Sequence, residues 1–184
     1  MAVTGDATLE PTDTAAGSPA RAPRTRNAPR DLSLLWITPL RALAADTLRA
    51  MRTPIEALGL DWQIGLRTGD ASARDKRLAR EGKLDALITT PESLYLMLTS
   101  KARESLRGVE TVILDEVHAV AGTKRGAHLS VSLERLDDLL ERPAQRIGLS
   151  ATVDPVETVT RFLGGREPVA VVRPESTKRW DLEI

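Results

Sequence analysis

At 184 residues, 41% of them hydrophobic, the chain has the length of about one domain and enough apolar content for its own core. Its 26 basic residues balance 26 acidic ones, so global charge argues for no partner, and with no cysteine present disulfides and thiolate metal sites are excluded. No apolar run reaches the roughly 18–20 residues that span a bilayer, and the N-terminus lacks the apolar stretch of a secretory signal, so a cytoplasmic protein with no membrane partner is expected.

Residues 1–30 are rich in Ala, Thr, Pro, Arg and Gly and nearly empty of large apolar side chains, a composition that predicts a disordered leader. Residues 32–38 (LSLLWIT) are a short apolar run ending at a proline, which suits a buried parallel strand. Residues 40–58 follow with helical period, placing Leu40, Ala44, Thr47, Met51, Ile55 and Leu58 on one stripe. A second strand is expected over 62–67, a charged helix over 72–82 and a third strand over 85–89. Pro91 sits in the favoured first turn of a helix carrying Leu94, Leu96, Met97 and Leu98. Residues 109–114 (VETVIL) give a fourth strand and 124–141 a helix with Leu129, Leu133, Leu136 and Leu140 on one face. Strand 145–149, a helix from Asp154-Pro155 to Leu163 stopped by Gly164-Gly165, and a sixth strand over 168–172 complete the series.

Regular alternation of strands and helices predicts an α/β domain, a mainly parallel sheet flanked by helices. Ligands of such sheets sit at the carboxyl ends of the strands. The polar groups of interest cluster there: Thr38, Arg67 to Asp70, Thr89-Thr90, Asp115-Glu116 and Ser150 to Thr152.

Val112-Ile113-Leu114-Asp115-Glu116-Val117-His118 is an apolar strand ending in paired carboxylates, as a Walker B site requires. Asp115 is placed to hold Mg2+ on nucleotide phosphates, Glu116 to orient or deprotonate the attacking water, and His118 to sense the γ-phosphate region or couple it to neighbouring segments. The same residues also fit a strand that ends in a polar turn. Ser150-Ala151-Thr152 supplies two small hydroxyls that can bond a nearby carboxylate or histidine, although hydroxyls there also serve as helix caps. Thr38-Pro39-Leu40-Arg41, Thr90-Pro91-Glu92 and Arg67-Thr68-Gly69-Asp70 are strand-to-helix junctions whose free N–H groups suit phosphate. Each alone is an ordinary cap or turn; together they suit a single strand held by its backbone. Lys124 and Arg125 fit either a nucleic-acid contact or a solvated turn. Trp36, Trp62 and Trp180 read as packing residues, and an aromatic content of 3% argues against a base-stacking platform.

From about Asp31 to Ile184 these motifs in this order resemble superfamily 2 DExH-box (DEAD/DEAH-box) helicases, and specifically the large helicase-related (Lhr) family. The stretches TTPESLYLMLTS, VETVILDEVHAVAGTKRGAHLSVSLERLDDLLERPAQRIGLSATV and VVRPESTKRWDLEI carry the likeness, while LLWITPLRALAADTLRA with IGLRTGD is closer to ligase-associated DExH helicases. The resemblance implies an incomplete RecA-like (P-loop NTPase) first motor domain over 31–176 and the start of a linker at 177–184. It implies ATP and Mg2+ as cofactors, DNA as partner, and translocation on single-stranded DNA, in repair. It makes Asp115 and Glu116 the Mg2+ and water residues, His118, Ser150 and Thr152 the coupling residues, and Thr38, Pro39, Arg41, Thr90, Pro91 and Glu92 strand contacts; Arg67 and Gly69 join that set by position. Members of the family carry a Gly-rich phosphate loop before the strand at Leu32, and no Gly-x-x-x-x-Gly-Lys-Ser/Thr sequence occurs in these 184 residues. The expectation is therefore little or no ATPase from this chain alone, with apolar sheet edges left for the remainder of the helicase to cover. The alternatives are a non-catalytic nucleic-acid or partner-binding module, or the relic of a disrupted gene.

Overall fold

The computed structural model describes residues 31–151, 155–165 and 167–172. The leader over 1–30, Thr152, Trp180 and the linker over 177–184 lie outside the described residues. Five four-residue strands, β1 (Leu34–Ile37), β2 (Ile64–Arg67), β3 (Ala86–Thr89), β4 (Thr111–Leu114) and β5 (Gln145–Gly148), form one sheet in the order β2-β3-β1-β4-β5. Every pairing is parallel, so all five carboxyl ends share one rim. The helices are α1 (Arg41–Ala57), α2 (Ala73–Arg80), α3 (Pro91–Leu98), α4 (Val117–Val120), α5 (Lys124–Asp137) and α6 (Val156–Gly164), with a 3-10 turn at Lys101–Leu106.

The strand order decides which face each helix covers. Right-handed crossovers that run in opposite directions along a sheet lie on opposite faces. Only the β1-to-β2 connection, through α1, runs toward the β2 edge; every later connection runs the other way. One face is therefore thickly covered. Leu35, Ile37, Leu87, Val112 and Leu114 point into it and are buried with Leu94, Met97, Leu106, Leu129, Leu133 and Leu136. Alternate residues point to the other face, where α1 meets β2 and β3. Beyond the reach of α1, Ile147 is 37% and Leu149 41% exposed.

The single helix on that face also explains the stripe of α1. Ala44 is buried, Thr47, Met51 and Ile55 are half-buried, and Leu40 and Leu58 at its ends are exposed. Helical periodicity located the stripe but not the limited area it meets. The sixth strand expected over 168–172 does not form: those residues have no regular structure, and Val172 is 90% exposed. The chain leaves α6 through Gly165 at φ 61° and folds back at once, with Val169 against Gly164, so it never reaches a strand edge. Among the described residues no helix is long and apolar enough to cross a membrane.

Candidate nucleotide and nucleic-acid rim

Along the rim the strand order sets Arg67 to Asp70, Thr90-Pro91, Thr38 to Arg41, Asp115 to His118, and Ser150 side by side. The connection after β1 leaves on one face, while those after its neighbours β3 and β4 leave on the other. Crevices open where neighbouring connections part in this way. One crevice lies on each side of β1: toward β3 and β2 it gathers the strand-to-helix junctions, toward β4 and β5 the carboxylates.

On the β4 side, Asp115 is held by its own N–H on the Ile37 carbonyl (2.8 Å), and its Oδ1 accepts the Glu116 N–H (2.9 Å). Glu116 then takes left-handed backbone angles, φ 50° and ψ 44°, as the one described non-glycine residue with positive φ. Such a conformation costs a residue with a Cβ about 1–2 kcal/mol and persists where its surroundings impose it. The next N–H, of Val117, is bonded to the Leu149 carbonyl of the adjacent strand end, which fixes the turn from both sides. Glu116 Oε2 and Ser150 Oγ lie 3.3 and 3.2 Å from His118 Nδ1, and the Ala151 N–H points at the same nitrogen from 3.3 Å. A nitrogen that accepts the Ala151 N–H carries no proton, so it cannot at the same moment donate to Glu116. His118 thus links the carboxylate turn and the β5 end through two mutually exclusive bonds.

No group of three or more His, Cys, Asp or Glu side chains gathers among the described residues. Mg2+ does not require one, since it keeps several waters and takes one or two carboxylates plus phosphate oxygens. Half-buried Asp115, rigid at a strand end beside Glu116, fits that donor set.

On the β2–β3–β1 side, the junctions differ from one another. Thr38 and Pro39 are buried, and the Thr38 hydroxyl donates to the Leu40 carbonyl (3.0 Å) and accepts the Leu40 N–H (3.3 Å). Thr38 shapes the turn instead of presenting its hydroxyl. The α1 terminus that follows has no side-chain cap and no acidic residue in its first turn, so among the described residues no side chain answers its free N–H groups. Exposed Arg41 stands there, its guanidinium over Gly69; a Cβ on that glycine would sit 3.1 Å from Nη2. Arg67 donates to the Lys76 carbonyl (3.4 Å) and Lys76 to the Gly69 carbonyl (2.9 Å). The Thr68 hydroxyl donates to Asp70 (2.7 Å), and this bond, helped by Arg41 and Lys76, holds the Asp70 carboxyl below the usual carboxylate range.

The Thr90 junction is built differently. Thr90 and Pro91 are buried, and the Thr90 hydroxyl accepts the Ser93 N–H (3.4 Å), while Pro91 has no N–H to give. The α3 terminus is already capped and offers far fewer free donors than its sequence suggested. Glu92 does not face an open strand path alone: Arg125 binds it through Nε (2.5 Å) and Nη2 (2.9 Å). That pair lies 33 residues apart and no periodicity announces it; Lys76, lodged under Gly69, was likewise hidden in a charged helix.

A family model described as DEAD/DEAH box helicase matches residues 14–161. The chain is 51% identical over 176 residues to the Lhr helicase and probable uracil glycosylase of Mycolicibacterium smegmatis, covering 90% of this chain and 11% of that protein. It is 52% identical over 161 residues to the Lhr helicase/uracil glycosylase of Escherichia coli, covering 82% and 10%. The chain thus spans about a tenth of the length of these curated relatives. It also superposes, at a TM-score of 0.75 and 53% identity, on the structure of Mycobacterium smegmatis helicase Lhr bound to ssDNA and AMP-PNP, covering 83% of this chain and 21% of that one.

Proposed function

The chain belongs to the DEAD/DEAH box helicase family and is similar to its Lhr members, and from that premise we propose that its rim serves an ATP-dependent DNA helicase in two halves. The β2–β3–β1 half holds a single DNA strand by its phosphates; the β4–β5 half holds the magnesium–nucleotide. The observation that carries this reading is the placement of an uncapped helix terminus with Arg41, and of the Asp115-Glu116-His118-Ser150 cluster, in crevices on opposite sides of one strand.

Within the nucleotide half, Asp115 is the Mg2+ ligand and Glu116 the residue that orients water. When bound, Mg2+ neutralises phosphate charge. His118 trades its bond to Glu116 for its bond to the Ser150–Ala151 end, which couples the carboxylate to the neighbouring strand. In the strand half, Arg41 and the α1 N–H groups bind phosphate, Thr38 and Thr90 hold the turns in shape, and Gly69 lets the guanidinium lie flat on backbone.

The test is binding of a fluorescein-labelled oligo-dT to the 184-residue chain over a salt series. Affinity is expected to fall with salt. Arg41→Ala is expected to weaken it and to reduce the slope of log affinity against log salt by about 0.7, the value for one phosphate contact on a single strand. Equal slopes for the two proteins would remove Arg41 from the strand site.

A further inference from the structure

The helices α3 and α5 both start at the rim, one behind the strand junction and the other behind the carboxylates. Their first turns are joined by the two-pronged bond of Arg125 to Glu92, and one turn deeper the Tyr95 and His128 rings meet at 4.7 Å and 62°. The start of α5 is locked to α4. Thr123 caps it, and Gly126 lies so close to the Val120 carbonyl that a Cβ would come within 2.1 Å of its oxygen. Since α4 begins directly after Glu116, a continuous path runs from Glu116 through α4, Gly126 and Arg125 to Glu92. Glu92 sits two residues beyond Thr90.

Two features say what the pair is for. A carboxylate repels a phosphate backbone, so Glu92 gains nothing as a strand contact. The pair is also half in solvent, with the side chains 59% and 37% exposed, and ion pairs that open add little to stability. What a bidentate guanidinium–carboxylate pair does fix is relative orientation.

We infer that Glu92 and Arg125 form a brace between the two halves of the rim, so that both are positioning residues and neither touches the strand. This rests on the division of the rim proposed above. A strand seated at the Thr90 and Arg41 junctions steadies α3, and the brace passes that constraint to α5, α4 and the Glu116 turn. The bond from Arg125 also holds the Glu92 carboxyl below its ordinary value of 4.5, so the brace is intact at neutral pH.

The test uses the 184-residue chain and the same labelled oligo-dT, with backbone amide exchange measured with and without the oligonucleotide. In the unaltered chain the oligonucleotide is expected to slow exchange at residues 38–44 and also at 117–122. Arg125→Ala and the isosteric Glu92→Gln are each expected to weaken binding by about three- to tenfold, with the double variant no weaker than the weaker single one, as for residues acting through one contact. The salt slope is expected to stay unchanged in both, and exchange at 117–122 to lose its response while 38–44 keeps it. A slope reduced by about 0.7 in Arg125→Ala would make Arg125 a phosphate ligand and overturn the brace. An undiminished response at 117–122 in that variant would overturn it too. If the unaltered chain binds no oligonucleotide, the strand-holding reading fails and the brace with it. Binding that depends on Arg41 but ignores both brace residues sinks the brace alone.

Discussion

Glu116 shows how much a single residue's backbone decides. Its place in the DEVH series was plain in the sequence, because paired carboxylates after the apolar run Val112-Ile113-Leu114 are a local pattern. Its left-handed conformation was not, since glutamate has no preference for that region and the turn is imposed by the Asp115 carboxylate and the Leu149 carbonyl. A substitution series separates the two. In Glu116→Gly, relief of about 1 kcal/mol of strain is offset by about 0.5–1 kcal/mol of extra unfolded-state entropy, so little net change in unfolding free energy is expected. Glu116→Val keeps the strain and adds a β-branched side chain, and is expected to lose about 1–2 kcal/mol relative to the glycine variant. Urea denaturation of the two proteins checks this; equal midpoints would mean that the left-handed turn is not maintained. The paired roles of Thr38 and Thr90 were half legible. Their spacing before a helix marked them as junction residues, but their burial, which depends on the neighbouring strands, and the local bonds of their hydroxyls were not readable.

Among the elements, the strands and most helices were readable from apolar runs and heptad-like spacing. The elements that went unread depend on distant partners. The run at 168–172 is as apolar as a strand, yet it lies too close behind Gly165 to reach a sheet edge. Helix α5 was expected to run to 141 but ends at Asp137, a residue bound from nine positions further on. Arg146 of β5, only 14% exposed, donates to Asp137 (2.6 Å), Glu134 (2.8 Å) and the Leu163 carbonyl (3.3 Å), joining α5, β5 and α6 at one point. Burial disfavours its charge, but the bonds and charges of Glu134 and Asp137 outweigh that and hold its pKa above the ordinary arginine value. Removing the guanidinium would strip the largely buried Asp137 carboxylate of its countercharge, leaving it the Ala144 N–H (3.1 Å), and would take a donor from the Leu163 carbonyl. Arg146→Ala is expected to lower the unfolding free energy by about 2–4 kcal/mol, somewhat below the cost of breaking a fully buried pair. A loss under about 1 kcal/mol in chemical denaturation would show that this junction does not hold the three elements together.

For the whole molecule, the parallel sheet and the convergence of polar residues at its carboxyl rim followed from element order alone. The division of the rim did not, because it needs the strand order, and sequence order does not reveal that β4 lies beside β1. Among the described helices the same topology sets α1 alone on one face, with Ile147 and Leu149 in view. These 184 residues also contain no Gly-x-x-x-x-Gly-Lys-Ser/Thr sequence to cradle a triphosphate. ATP turnover by this chain alone is therefore expected to stay at background with or without oligo-dT. Robust turnover abolished by Glu116→Gln would show that its own residues replace that cradle.

The divided rim is tested most directly by a hydroxyl-radical footprint of the chain with saturating oligo-dT and no nucleotide. Protection is expected at residues 38–44 and 67–70, on the β2–β3–β1 side, with the exposed surface at 99–107 as reactive as in the free chain. Protection confined to 99–107, or spread evenly over the surface with 38–44 still fully reactive, would contradict the account.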